Sequence, residues 1–302
     1  MTLYQNGASV GSGAGSNGAS TAPFAIGYWP AYSIPFEGLI GEVYLYSSAL
    51  SSANRTSIDT SESRYFASTG FATPYSGASV VQFGPGEDCS AGHVLDFEHT
   101  QPFTAFAAIQ MYNMPNTESV IIDNDDPGNN YAGYQLVVNG PSLFSSYGGR
   151  LLLRLMNNVF STHIDVVGST NVADGKKHFV AVSYDGSGLA AGVKLYVDGV
   201  QETMTTLSDT LSGTMVSSGQ TFLVGDQYGN YTMHGSIGHV QIDTVARSPS
   251  YIASYSTPSS LPPIDAKTAI SLSFTEGSGT TAADASGNNH NCTLSSANMW
   301  VP

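Results

Sequence analysis

Oxygen-bearing side chains crowd into one short stretch of the sequence, Asp123-Asn124-Asp125-Asp126-Pro127-Gly128-Asn129-Asn130. Carboxylates and amides at this density between two predicted strands suit calcium, which takes six to eight oxygens in flexible loops, and Asp123, Asp125, Asp126 and Asn129 are its expected ligands. The alternative is a polar hairpin loop, since Asn, Asp, Gly and Pro are also the residues of turns. The spacing matches no EF-hand. A second group is aromatic. Tyr228, Asn230 and Tyr231 lie between Gly225 and Gly235, and Tyr28, Trp29 and Tyr32 occupy the corresponding stretch near the start. Such rings stack against the C–H faces of sugars while amides and carboxylates bind the hydroxyls. They serve a protein interface as well, where Tyr and Trp are enriched.

Catalytic carboxylate and zinc-protease patterns are absent from the sequence, which holds no E-x-D-x-E run and no H-E-x-x-H. Asp96 and Glu98 fall on one face of a predicted strand, where two carboxyls could act on a glycosidic bond, but solvated pairs of this kind are common. No catalytic residue is assigned. Gly13-Ala14-Gly15-Ser16-Asn17-Gly18 matches G-x-G-x-x-G, yet Pro23 and a strand follow it where dinucleotide binding requires a helix. His178 and His239 read as ordinary strand residues.

Composition narrows the partners. Nine Lys and Arg against 23 Asp and Glu give a net charge of -14, which repels a phosphate backbone and excludes nucleic acid. No segment approaches the ~18 apolar residues of a membrane span. Met1 leads directly into a polar strand, so no signal peptide is read in this chain. Cys89 and Cys292 are expected to be free and to lie in different folding units.

The elements that must position these groups come in a repeat. Phe24-Ala25-Ile26-Gly27 recurs as Phe222-Leu223-Val224-Gly225, and Gly38-Leu39-Ile40-Gly41-Glu42-Val43 as Gly235-Ser236-Ile237-Gly238-His239-Val240, at offsets of 198 and 197 residues. That is a domain period. Residues 1–66 are read as the closing half of one unit, with a hairpin, a Gly/Ser loop from Gly11 to Ser20, two strands and a helix after Ser51. Residues 67–260 are a complete unit, and 261–302 a linker with the opening strands of a third. Half-units of this kind imply association with neighbouring chains.

Within the central unit, Leu151, Leu153 and Leu155 alternate with Leu152 and Arg154, the period of a strand. Val240 and Ile242 point inward, with His239, Gln241 and Asp243 outward. Asn139-Gly140, Asp185-Gly186 and Asp198-Gly199 mark turns. Ser248-Pro249 opens a short closing helix. Regular short strands without helical crossovers predict an all-β, antiparallel two-sheet sandwich or jelly roll.

Lys177-His178-Phe179-Val180-Ala181-Val182-Ser183-Tyr184-Asp185-Gly186, then Val193-Lys194-Leu195-Tyr196-Val197-Asp198-Gly199, then Leu223-Val224-Gly225 with Gly235-Ser236-Ile237, resemble the later half of laminin-G-like domains of the concanavalin A-like lectin/glucanase superfamily. The run from Ile270 to Asn288 is similar to the opening strand and turn of bacterial and phage versions. The resemblance implies a jelly roll, often with a calcium ion at its rim. Recognition or assembly is then the expected function: a non-catalytic carbohydrate-binding or adhesion module on a bacterial or virion surface, such as part of a tail fibre, with a surface glycan as partner. The alternative is a structural virion or filament subunit, such as a capsid decoration protein, that contacts neighbouring subunits. A glycan-cleaving enzyme comes third.

Overall fold

A computed structural model describes residues 2–5, 8–12, 28–29, 34–35, 80–84, 86–111, 117–255, 257 and 260–301. The chain divides into two compact units, residues 1–73 and 74–302. In the first, β1 (Thr2–Gln5) pairs with β2 (Ala8–Ser12), and β3 (Tyr28–Trp29) with β4 (Ile34–Pro35), both antiparallel. The expected hairpin is present, with its second strand running through Gly11 and Ser12. Tyr32, the G-x-G-x-x-G run, the first copy of Gly38 to Val43 and the helix after Ser51 lie outside the described residues.

The second unit is two antiparallel sheets face to face. One has nine strands among the described residues, in the spatial order β15 (Thr205–Asp209), β11 (Thr162–Asn171), β10 (Arg150–Asn158), β9 (Ala132–Val138), β8 (Ser119–Asp126), β16 (Phe222–Val224), β6 (Cys89–Gly92), β20 (Cys292–Leu294) and β19 (Thr281–Ala282). The other has eight: β14 (Val200–Gln201), β13 (Val193–Val197), β12 (Lys177–Tyr184), β7 (Phe103–Met111), β17 (Gly235–Asp243), β5 (Val80–Gln82) and β21 (Trp300–Val301), with β18 (Thr268–Leu272) beside β17. The core between them takes alternate residues from each strand. Leu151, Leu153 and Leu155 meet Ala105, Ala107, Val180 and Val182 there, all buried. The all-β sandwich expected from the sequence is the fold observed.

Turn chemistry holds where both turn residues need positive φ. Asp198 (φ 51°) and Gly199 (φ 77°) join β13 to β14 with Val197 opposite Val200, the geometry of a tight hairpin. Asn139-Gly140 acts differently. It begins a longer connection from β9 to β10, in which the Asn139 side chain donates to the Phe144 carbonyl at 3.0 Å. The two glycines of the repeated block have separate causes. Gly225 sits at φ +86° against the Phe83 ring, and a Cβ on Gly235 would stand 2.0 Å from the Gln110 carbonyl oxygen.

Three expectations fail here. Residues 268–301 do not open a separate sandwich: β18 pairs with β17, β20 with β6, and β21 with β5, so these strands complete the central one. The C-terminal segment is therefore not a half-unit waiting for another chain. For the same reason the cysteines are not free. Cys89 on β6 and Cys292 on β20 face the same core from adjacent strands, with Cα atoms 5.5 Å apart, and form a disulfide.

The third concerns β17, where Val240 and Ile242 enter the core as expected but His239, Gln241 and Asp243 on the other face are buried rather than solvated. That face carries its own apolar cluster of Phe106, Ala108, Phe179 and Ala181, which receives Ile252 of the helix Pro249–Ala253. Ser248 caps this helix by accepting from the Tyr251 N–H, with Pro249 in the first turn. Burial lowers the His239 pKa to about 4. Asp243 is matched by Arg247 Nε at 2.7 Å.

Candidate functional site

Register, more than any single strand, builds the site. Asp123 on β8 stands opposite Gln135 on β9, Gln135 opposite Arg154 on β10, and Arg154 opposite Asp165 on β11. Strand neighbours in register share a face, so these four side chains form a line across the nine-stranded sheet. Their flanking residues Ile122, Leu136, Leu153 and Ile164 go into the core, which puts the polar line on the outer face. Below it the same face is apolar: Val120, Val137, Leu152 and Val167 are buried under Phe144, Tyr147, Leu207 and Tyr231.

Loops close over this face and leave a pocket of about 390 Å³. Its wall combines charge, amide and ring: Glu118, Arg154, His163 and Asp165; Gln135 and Gln227; Tyr131, Phe144, Phe160 and Tyr231. Phe160, at the tip of the β10–β11 turn, is 77% exposed and meets the Tyr131 ring edge-on at 6.3 Å. With Tyr131, Phe144 and Tyr231 it gives the pocket wall four rings.

The charges are tightly held. Arg154 Nη1 donates to Glu118 Oε1 at 2.7 Å, and its Nε stands 3.5 Å from Asp165 Oδ1. Neither Arg154 Nε nor Asp165 Oδ1 has a hydrogen-bond partner, although both atoms are buried. Burial raises the Glu118 and Asp165 carboxyls above their ordinary range while the guanidinium pulls both back.

Behind the wall, Gln135 Nε2 donates to Asp123 Oδ1 at 2.8 Å and to Asp125 Oδ2 at 3.0 Å, and Gln227 Nε2 donates to Asp125 Oδ2 at 2.6 Å. Burial and the Asp125 charge hold Asp123 well above the usual carboxylate range. Asp125 is raised to about 7, chiefly by burial. A pair of carboxyls this close and this dry retains a proton.

That proton gives a pH-dependent stability. A folded pKa near 7 against an ordinary unfolded value means the contribution is complete below about pH 4 and is lost as pH rises through about 7. Chemical denaturation of wild type and Asp125→Asn should therefore show the difference moving in favour of wild type between pH 8 and pH 5. A difference that does not change with pH would remove the shared proton.

The expected calcium ligands do not converge. Asp123 and Asp125 are fully buried strand residues, not loop residues. Asp126 accepts from the Gly128 N–H at 2.9 Å and from the Ser217 hydroxyl, and Asn129 is exposed in the turn beyond. Amide NH₂ groups, which repel a cation, point at the buried pair. The four residues do not form one ligand set, and among the described residues no group of three or more His, Cys, Asp or Glu gathers around a common point.

Of the aromatic candidates, Tyr231 lines the pocket. Tyr228 lies in the same loop and donates to the Asp125 carbonyl at 2.9 Å, and Asn230 beside it is exposed. Tyr28 and Trp29 form β3 in the first unit. Asp96 and Glu98 lie outside any strand: Asp96 pairs with His93 at 2.6 Å, and Glu98 accepts from the Thr214 hydroxyl. Sequence reading missed Glu118, Gln135, Arg154 and Asp165; its one usable signal was a lone polar residue at an alternating position in an apolar strand.

No curated protein matches the sequence. Among solved structures, similarity extends to a candidate carbohydrate binding protein from Bacteroides ovatus ATCC 8483, at TM-score 0.53 and 15% identity, over 72% of this chain and 58% of that one. The sialidase CBM40 of Ruminococcus gnavus bound to alpha2,3 sialyllactose follows at TM-score 0.41 and 14% identity, over 52% of this chain and 83% of that one. A heptameric SAP-like pentraxin from Limulus polyphemus gives TM-score 0.45 and 13% identity, over 74% and 96%. At these identities the likeness is one of fold. Residues 84–253 match the laminin-G-type family model of the concanavalin A-like lectin/glucanases superfamily. That match spans more than half of the chain, which therefore belongs to this superfamily.

Proposed function

We propose that the chain is a non-catalytic carbohydrate-binding module that takes a glycan into the pocket on the outer face of the nine-stranded sheet. The observation that carries this reading is the pocket wall, where Tyr131, Phe144, Phe160 and Tyr231 stand beside the amides of Gln135 and Gln227 and the carboxyls of Glu118 and Asp165. A sugar presents apolar C–H faces and a rim of hydroxyls, and this wall offers partners to both. The buried pair Asp123 and Asp125 lies behind Gln135, out of reach of a scissile bond, which favours binding over cleavage. The Bacteroides ovatus protein of like fold, itself a candidate carbohydrate binding protein, agrees with the reading. A disulfide belongs to an oxidising compartment, which supports an adhesion role on a bacterial or virion surface.

Glycan-array screening followed by calorimetry tests it. Tyr231→Ala should weaken binding by about tenfold or more, the effect of losing one stacked ring at a recognition site. Phe160→Ala, at a solvent-facing position, should weaken binding with an unchanged melting temperature. Absence of any glycan binding, together with concentration-dependent assembly, would instead identify a structural subunit.

A further inference from the structure

We infer that the pocket selects a sugar unit bearing a protonated amine and rejects sugars bearing carboxylate or sulfate. This rests on the carbohydrate-binding reading and adds the ligand's charge. Among the described residues, Arg154 is the one Lys or Arg in the pocket wall, against Glu118 and Asp165. Its guanidinium pairs with Glu118 at 2.7 Å and stands 3.5 Å from Asp165 Oδ1 without a hydrogen bond to it, and its field also reaches Asp125 behind the wall. An anionic sugar seeking Arg154 would have to enter beside two carboxylates that hold it from either side. His163 also faces this carboxyl, with its Nε2 3.9 Å from Asp165 Oδ2.

Two atoms of the wall lack hydrogen-bond partners, Arg154 Nε and Asp165 Oδ1, and the excess of carboxyl over guanidinium decides between them in favour of a donor. Asp165 is 3% exposed, lines the pocket, and has an Oδ1 without a hydrogen-bond partner. A buried carboxylate oxygen left in this state is costly, and an N–H donor carrying positive charge is its strongest partner. The net charge of -14 on the whole chain favours approach of the same ligand. N-acetylation would delete the charge and leave a bulkier neutral amide.

The test is calorimetric titration with three versions of each hexose, the 2-amino, the N-acetylamino and the uronic acid forms, in the gluco, galacto and manno series. The 2-amino form should bind about tenfold or more tightly than its N-acetylated partner in the favoured series, with the uronic acid weakest. Asp165→Asn should abolish that preference, so that the 2-amino and N-acetylated forms of one hexose bind alike. As a measure on the unaltered protein, raising the pH to about 9 should remove the preference by discharging an amine of the α-amino class. Equal or tighter binding of the uronic acid or N-acetylated form would overturn the charge inference and leave carbohydrate binding standing. Failure of every form to bind would overturn both.

Discussion

Arg154→Met is expected to destabilise the protein by about 3–5 kcal/mol at neutral pH, the cost of leaving buried charge without its partner. Glu118 and Asp165 are 6% and 3% exposed and have the Arg154 guanidinium between them, so its removal leaves two dry carboxylates facing each other. Methionine keeps much of the volume, which isolates the electrostatic effect from a cavity. The loss should shrink as pH falls, because protonating either carboxyl removes the repulsion. Both carboxyls already sit above their ordinary range, and without the guanidinium they should rise further. Urea unfolding at pH 7.5 and pH 5 measures this. A loss under about 1 kcal/mol, or one independent of pH, would mean that water reaches the pair and screens it.

Cys292→Ser should cost about 2–5 kcal/mol, toward the upper part of the range for long loops, since the bond closes 203 residues. The sulfurs lie in the core between Leu294 and its neighbours, so serine also brings a hydroxyl into apolar surroundings. Reduction of wild type separates the two effects, because it opens the loop without changing a side chain's bulk. Thermal unfolding with and without reductant should give a large fall for wild type and none for the variant. Thiol titration of the unreduced, unfolded protein should find no free thiol; two free thiols would contradict the bond.

Much of the fold was legible because it depends on local pattern. The alternation in Leu151 to Leu155 assigned β10 and its inner face, Asp198-Gly199 gave a hairpin turn, and Ser248-Pro249 gave the helix start. The destination of residues 268–301 was not legible. A strand's apolar stripe says that it needs a partner, not which edge supplies one, and here the edges were β17, β6 and β5 of the preceding strands. The same limit hid the site. Gln135, Arg154 and Asp165 are each an isolated polar residue in an apolar run, and their alignment exists only through pairing register. The acidic run from Asp123 to Asp126 misled for the opposite reason. Its composition is that of a loop, while pairing with β9 draws all four of its residues into β8. Tyr231 was found because ring chemistry near a turn needs no register to be noticed.

Mechanical load offers a last consequence of the Cys89–Cys292 bond. Tension applied at residue 301 reaches Cys292 within a few residues and then crosses the sulfurs to Cys89, so the covalent path bypasses everything between them. Every described residue that lines the pocket, from Glu118 to Tyr231, lies inside that bypassed ring. A tether pulled along its backbone would thus stretch its flanks while the ligand's seat stays slack, and grip would outlast strain on the chain that carries it.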